Sequence, residues 1–557
     1  MRNIKPELIA LTIILFLGSY LYFSKLDSIP SGLYVDEAVT GYNAYSLLKT
    51  GKDEYGKAYP VALRFLGSYS PPLYTYLSIP IMAINGLNIF STRVLSSISG
   101  LLSILLVFHF LKALKITKSR WTPVLGALLF AISPWTVFYS RVGYELYLAF
   151  FIFALGVFFV WQGLKKQKLL IPGLALLSLS TYGAHTEQIL APVFIVGVTI
   201  LFRKELLAKK SKKYFLAGLF IAGLIQLPYL TIISTPALFS KTSLFYKGVV
   251  FTQAEKITHF LPTFITFPLS FLREFLSQYL TYFSPRSLFF LPDPDPQRGL
   301  PELSVFYSWM IIPYFVGVYL LLKGRKKRSL KFILLLCLLA PLPAALAGDP
   351  FSTQRALPLL LPLIIVIALG TDRIIAKLKT KIWLPALAIL ISFSLLLLWR
   401  SYFVFLPNER AKAWGYGFRQ LAEEIKKRPS DKFLIDQSRI KPAYIELTFF
   451  LKYPPEKFQK ELDQTIKENY YTNTSFSENY SFGNIETRNI NWEEDIYKEQ
   501  ILVGDELAIS EGQAKEHFLT KVFEIRDPVD TIVFQGYKTD PKEKCAKTLN
   551  LNPLCAN

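Results

Sequence analysis

Apolar runs near 20 residues, the length an α-helix needs to cross about 30 Å of hydrocarbon, recur along this chain at 91–111, 121–139, 169–184, 187–202, 214–233, 304–322, 332–348, 356–374 and 382–399. The run Leu8–Phe23 comes first, and 143–163 joins the series despite Glu145 near one end. Together they predict an α-helical polytopic membrane protein of about eleven spans. Two apolar stretches are predicted to lie along the surface instead. Segment 65–92 has no charged residue but is interrupted by Pro71, Pro72 and Pro80, as suits broken juxtamembrane helices in the first outer loop. Segment 256–283 carries Arg273 and Glu274 in mid-run, which suits an amphipathic helix.

Basic clusters fix the orientation. Lys112 to Arg120, Lys165 to Lys168, Arg203 to Lys213, Lys323 to Lys331 and Lys377 to Lys381 are each separated from the next by two crossings, so all share one side, which the positive-inside rule makes cytoplasmic. Arg2 and Lys5 join that side only if 71–89 does not cross. The N-terminal run has no clear small-residue cleavage site and is expected to be an uncleaved first span. The membrane domain is then 1–399, with outer loops at 25–90 and 234–303, and 400–557 is an extracytoplasmic soluble α/β domain. In that tail 411–428 reads as a helix burying Trp414, Phe418, Leu421 and Ile425, whereas 432–436 and 531–537 read as strands.

Composition agrees. A hydrophobic content of 52% with only 18% charged residues exceeds what one soluble domain carries, and the mean hydropathy is +0.33. The net charge of +21 is explained by the cytoplasmic loops, so nucleic acid is not an expected partner. Of three cysteines, Cys337 lies in an apolar run, while Cys545 and Cys555 can pair in an extracytoplasmic tail.

With the sides assigned, the polar residues that are costly near a membrane collect outside: Asp36 and Glu37, Arg141 and Glu145, His185 and Glu187, Asp293, Asp295 and Arg298, and Asp349 with Arg355. Loops far apart in sequence thus place titratable groups at one level, as a site between helices requires. Asp36 precedes an apolar helical run, so it reads as an N-cap, and also as a general base held above the membrane; the two roles are compatible.

The first span followed by Tyr34-Val35-Asp36-Glu37-Ala38 resembles the GT-C superfamily of membrane glycosyltransferases, in the branch of protein O-mannosyltransferases and lipid A aminoarabinose transferases. Ser68-Tyr69-Ser70-Pro71-Pro72-Leu73-Tyr74 is similar to that branch's Lys-Pro-Pro-Leu segment, and Ser140-Arg141-Val142-Gly143-Tyr144-Glu145 to its motif after the third span. Tyr279 to Pro285, with Phe289, Phe290, Asp293 and Arg298, looks like the second outer loop of bacterial members. The resemblance implies transfer of a sugar from a polyprenyl-phosphate donor to a hydroxyl of a protein, lipid or wall-polymer acceptor at the outer face of the cell membrane, with Asp36 as base and Glu37 orienting hydroxyls. One departure stands out: the family's Lys, which contacts the donor phosphate in some members, is Ser70 here. The phosphate must then meet other cations, for which Arg141, Arg355, Arg298 and Arg64 are available. Each of these also reads as a headgroup-contacting arginine.

A polyprenyl phosphate leaves as a stable anion, so the chemistry needs cations and a base more than an acid. Glu37 or Glu145, with Asp36, would also suit a divalent cation such as Mg or Mn. His185 reads first as a turn histidine, and Tyr74, Tyr76, Tyr279 and Tyr282 as an aromatic belt, although His185, Glu145, Tyr74 and Tyr282 would equally line a sugar site. A transporter or flippase and a noncatalytic scaffold are the competing classes. The absence of internal repeats and the clustering of polar groups at the outer edge, not at mid-membrane, weigh against transport. Asn473-Thr474-Ser475 and Asn479-Tyr480-Ser481 match the N-glycosylation pattern.

Overall fold

A computed structural model describes residues 5–65, 67–239, 247–439, 442–472, 478–547 and 553–555. The motif Asn473-Thr474-Ser475 lies outside them. The chain divides into two compact units, one of Met1–Leu26, Pro71–Tyr74 and Val94–Phe403, the other of Asp27–Ser70, Thr75–Arg93 and Val404–Asn557.

The first unit is helical. Every apolar run of the sequence coincides with a helix: Pro6–Phe23, Ile89–Leu114, Thr122–Ile132, Leu146–Gly163, Leu170–Ser180, His185–Leu201, Lys209–Gln226, Ile311–Lys323, Arg328–Leu339, Leu360–Ile375 and Thr380–Leu398. Among the described residues, seven helical stretches are long and apolar enough to cross a membrane, and those at 122–132, 167–180, 185–201 and 308–323 are shorter. Pro134 cuts the run 121–139 into Thr122–Ile132 and Pro134–Tyr139, because it disfavours helical geometry in Ser133 before it. Leu360–Ile375 is the central helix, with all residues from Leu360 to Thr371 buried. It meets Ile311–Lys323 at glycines: a Cβ on Gly370 would stand 1.8 Å from the Pro313 carbonyl oxygen, and one on Gly317 2.0 Å from that of Val366. Backbones this close are the means by which helices associate where lipid is as apolar as the side chains. Outward-facing residues are apolar too, with Ile13, Phe16, Ile389 and Leu396 all more than half exposed, as a lipid-facing surface requires.

Segment 256–283 forms Thr263–Thr281, preceded by Lys247–Ile257. Thr266 and Ser270 are buried while Phe264, Leu272 and Leu280 are exposed, so its small polar residues face protein and its large apolar ones face outward.

The second unit joins the first outer loop to the tail. The expected boundary at 399/400 therefore separates segments that fold together. Helix Val35–Thr50 packs on Ala443–Leu451, which also packs on Phe418–Lys427. Tyr42, Tyr55, Tyr444, Phe458, Tyr480 and Phe482 share their core. Tyr444 stacks on Tyr480 with centroids 3.7 Å apart and lies parallel to Phe458 at 6.0 Å; such pairs contribute about 0.5–1.5 kcal/mol each beyond burial. β1 (Leu63–Phe65) and β2 (Ser68–Ser70) form a hairpin in the first loop, antiparallel with Arg64 opposite Tyr69. The tail supplies β3 (Phe433–Ile435), β4 (Tyr480–Phe482), β5 (Ile485–Thr487), β6 (Ile501–Gly504), β7 (Thr520–Arg526) and β8 (Ile532–Lys538). Their order is β4-β5-β3-β6-β8-β7, with β3 parallel to both β5 and β6 and the remaining pairs antiparallel.

The expected helix 411–428 begins only at Phe418. Gly415 and Gly417 take φ of +68° and +101°, left-handed values that end a helix, leaving a single turn at Lys412–Trp414. The four residues assigned to its apolar face are all buried. Cys545 and Cys555 are disulfide-bonded, with Cα atoms 5.6 Å apart, and Cys337 is buried and free.

Candidate functional site

In the second unit the first loop is built around a buried ion pair. Arg93, wholly buried, donates through Nε and Nη2 to the two carboxylate oxygens of Glu37, each at 2.8 Å. The same guanidinium donates to the carbonyls of Gly32 at 2.7 Å and Pro30 at 3.2 Å. Glu37 also accepts the Tyr34 N–H at 3.0 Å and so caps helix Val35–Thr50 from its third position. Tyr34, not Asp36, is thus the cap residue, and Asp36 lies in the first helical turn, where a carboxylate complements the positive end of the helix. The two acids divide their work: Glu37 is fully buried, whereas Asp36 is partly exposed. The loop is fixed on a second side by Trp414 and Gly415. The Tyr34 and Trp414 rings lie 5.7 Å apart, and a Cβ on Gly32 would come within 2.0 Å of the Trp414 carbonyl oxygen. Glu446, also buried, is held protonated more readily than usual, by burial first and then by the charge of Glu37, with Arg93 opposing.

Glu37 was expected to orient substrate hydroxyls or bind a cation. In the structure both of its oxygens accept from Arg93, and one also from the Tyr34 N–H. Arg64, expected to meet phosphate, is buried in this unit; it pairs with Glu478, donates to the Asn469 carbonyl at 2.9 Å and lies over the Tyr55 ring.

In the first unit the second outer loop meets the segment 349–355. Arg355 and Arg298 converge on one oxygen, Oδ2 of Asp349, at 2.8 and 3.2 Å, and Arg298 also holds Asp295 at 2.9 Å. Behind them Asp293 accepts from the Thr353 N–H at 2.9 Å, and the Tyr139 and Thr353 hydroxyls lie 2.7 Å apart. Burial disfavours both guanidinium cations. For Arg298 the charges of Asp295, Asp349 and Asp293 outweigh it, so its pKa is raised; for Arg355, with Asp349 helping but Arg298 repelling, it is lowered. Burial likewise raises Asp293. Both arginines remain partly exposed, at 21% and 26%, so they can exchange Asp349 for another oxyanion.

Other expected site residues have structural positions. Arg141 is buried; it donates to the carbonyls of Leu21 and Ser24, each at 2.7 Å, and stacks 4.7 Å over Tyr402. It therefore closes the C-terminal end of the first helix, as basic side chains at helix ends do, and does not present its charge at a surface. His185, expected in a turn, is the first residue of helix His185–Leu201 and contacts Gln188 through Nδ1 at 3.0 Å. Glu145 stands at the N-cap position of Leu146–Gly163. Tyr74 receives a hydrogen bond from Ser96 at 3.0 Å, and Tyr282 accepts one from the Ser352 N–H at 3.0 Å; both rings are buried, which denies them to a stacking sugar. Among the described residues no group of three or more His, Cys, Asp or Glu side chains is placed to hold a metal ion.

Arg93 and Glu446 were missed by sequence reading. Arg93 had a signal: an arginine at the edge of an apolar run needs a carboxylate, and Glu37 was an acid available on the outer side. Glu446 had none, since nothing in the sequence ties the tail to the first loop.

This architecture is the GT-C fold, and the seven long apolar helical stretches among the described residues are those of an integral membrane protein. It superposes on ArnT from Cupriavidus metallidurans bound to undecaprenyl phosphate with a TM-score of 0.53 and 13% identity, over 94% of this chain and 97% of that one. Against the apo state of the same protein the TM-score is 0.54 at 12% identity, over the same shares. The apo oligosaccharyltransferase from Archaeoglobus fulgidus aligns with 97% of this chain and 75% of its own, at a TM-score of 0.48 and 12% identity. No family model and no curated protein matches the sequence.

Proposed function

We propose that this protein transfers a glycosyl group from a polyprenyl-phosphate donor to an acceptor hydroxyl at the extracytoplasmic membrane face, with Asp36 as the general base. The observation that carries the reading is the position of Asp36. It is a partly exposed carboxylate on the first turn of a helix, beside a buried Glu37–Arg93 pair that fixes the loop, in a chain with the GT-C fold.

In the step, the acceptor oxygen forms a bond to the sugar's anomeric carbon as its proton passes to Asp36. The bond from that carbon to the phosphate oxygen breaks, its electron pair staying on the polyprenyl phosphate, and the configuration inverts. Because the leaving group is already a stable anion, the demand is for positive charge at the phosphate. Arg298 and Arg355 are the residues assigned to it, since they share one carboxylate oxygen and a phosphate offers two or three. Arg64 and Arg141, engaged in buried contacts, are not assigned to the donor. A divalent cation has a poor fit to Glu37, whose oxygens are engaged by Arg93. The disulfide Cys545–Cys555 supports an oxidising, extracytoplasmic setting for the tail.

The test is a panel of radiolabelled polyprenyl-phosphate sugars offered to the purified protein reconstituted in sealed lipid vesicles. Consumption of one donor by the parent, and its loss in Asp36→Asn at an unchanged melting temperature, is the expected result. Equal turnover by Asp36→Asn rejects the base assignment, and movement of intact donor across the bilayer without its consumption rejects the enzyme.

A further inference from the structure

The second unit contains a hollow of about 780 Å³ that the transfer chemistry does not use. It is walled by the C-terminal end of helix Val35–Thr50, by the turn 52–57 and by helices Pro455–Glu461 and Gln464–Glu468. The volume falls within the roughly 300–1,000 Å³ usual for small-molecule sites. Its lining is strongly basic: Lys49, Lys52, Lys57, Lys460 and Lys467 face it, with Glu456 as the single acid.

The floor is a fixed structure. Asp53 is fully buried and accepts the backbone N–H groups of Tyr55 and Lys57 at 3.0 and 2.8 Å and the Tyr470 hydroxyl at 2.5 Å. Gln459 donates to the Asp53 carbonyl at 2.8 Å and to the hydroxyls of Ser46 and Thr50, each at 3.1 Å, joining three of the walls.

Four of the lysines have a structural role. Lys49 complements the carbonyl end of its helix, and Lys57 lies 5.3 Å over the Tyr471 ring. Lys460 and Lys467 likewise stand in the last turns of their own short helices, Lys52 has neither role, and none of the five is in an ion pair among the described residues. The neighbouring acids are otherwise employed: Glu461 takes Lys457 at 3.7 Å and the Tyr453 hydroxyl at 2.7 Å, Asp463 caps Thr465, and Glu468 accepts from Gln464. Five like charges around one hollow repel one another, and an anion among them relieves that repulsion.

We infer that this hollow is a binding site for a phosphate-bearing ligand, held by Lys52, Lys460 and Lys467. Ammonium groups act on phosphate as mobile point charges, and three of them spread over separate elements suit a ligand with more than one phosphate oxygen to offer. That chemistry is common to a phospholipid headgroup and to a soluble phosphorylated sugar. The site stands apart from the transferase reading and survives its failure.

Inorganic pyrophosphate titrated calorimetrically into the full chain in phosphatidylcholine nanodiscs tests it. Binding that weakens as salt rises from 25 to 150 mM, and that falls at least about tenfold in the triple variant Lys52→Ser, Lys460→Ser, Lys467→Ser, is the expected result. A control with the same charge change elsewhere, Lys426→Ser, Lys515→Ser, Lys542→Ser, should bind as the parent does. No binding at 25 mM salt, equal affinity in parent and pocket variant, or equal loss in the control each overturns the site. Nanodiscs containing phosphatidylglycerol identify the source: lysine-dependent competition with pyrophosphate supports a headgroup ligand, and undiminished binding supports a soluble one. An unchanged melting temperature in the pocket variant separates lost binding from lost folding.

Discussion

Replacing Arg93 by leucine tests the buried pair on which the first loop is built. The substitution removes both bonds to Glu37 and strands that carboxylate, wholly enclosed, beside a second buried acid, Glu446. Breaking such a pair from one side costs about 3–5 kcal/mol. Leaving the Gly32 and Pro30 carbonyls without their donor adds about 1–3 kcal/mol for each that water does not reach. For a unit of this size 1 kcal/mol lowers the melting temperature by about 2–4 °C, so the ion-pair term alone predicts a fall of about 6–20 °C, followed by differential scanning fluorimetry in lipid nanodiscs. The double variant Glu37→Leu, Arg93→Leu should recover part of the loss, because no charge is then stranded, giving a coupling energy of about 1–3 kcal/mol in the mutant cycle. Additive single effects, or a shift below 2 °C for Arg93→Leu, would falsify the account of Glu37 and Arg93 as a single positioning unit.

Further outcomes follow from other residues. Arg355→Gln should lower kcat/KM for the lipid donor about 10–100-fold while leaving the melting temperature near the parent's; equal kinetics would remove the arginine pair from the donor site. Burial raises Asp53 from 3.8 to about 6, against hydrogen bonds from Tyr470, Lys57 and Tyr55. A carboxyl raised on folding stabilises the protein fully below about pH 4 and loses that contribution as pH rises through about 6, an effect near 3 kcal/mol. Asp53→Asn should therefore flatten stability between pH 4 and 6, and an unaltered slope contradicts the assignment. Gly32→Ala drives a methyl into the Trp414 carbonyl and should cost at least about 1–3 kcal/mol, whereas Gly86→Ala, whose Cβ meets nothing within 4 Å, has only its φ of +72° to contend with and should cost less; the reverse order in thermal melts is incompatible with this packing. A tag placed after Asn557 should be labelled from outside intact cells, and labelling only after permeabilisation contradicts the orientation.

Much of the membrane part was legible because lipid allows few solutions: apolar runs of the right length become helices, and Pro134 interrupts one where its ring requires. The acidic pair Asp36–Glu37 was visible too, but its division of labour was not. That depends on Arg93, 56 residues later, whose distance along the chain says nothing of its distance in space. The arginines show the same limit. Arg141 and Arg64 have the residue type a phosphate site needs, yet backbone carbonyls and Glu478 engage them, contacts no local pattern reveals. In the tail, the apolar face of 411–428 was correctly assigned while Gly415 and Gly417 moved the start of its helix. The other strands of the sheet are too short, three or four residues in most cases, for alternation to mark them.

The hydroxyls of Tyr55 and Tyr444 meet at 2.9 Å across 389 residues of chain. During synthesis at about 5–20 residues per second, the first loop therefore waits some 20–80 s for the partner that completes its core. Through that interval the apolar side of Val35–Thr50 has no tail to rest on, and a nascent chain halted before residue 443 carries an unfinished loop. The order of manufacture thus makes the acidic turn, synthesised early, one of the last places to be completed.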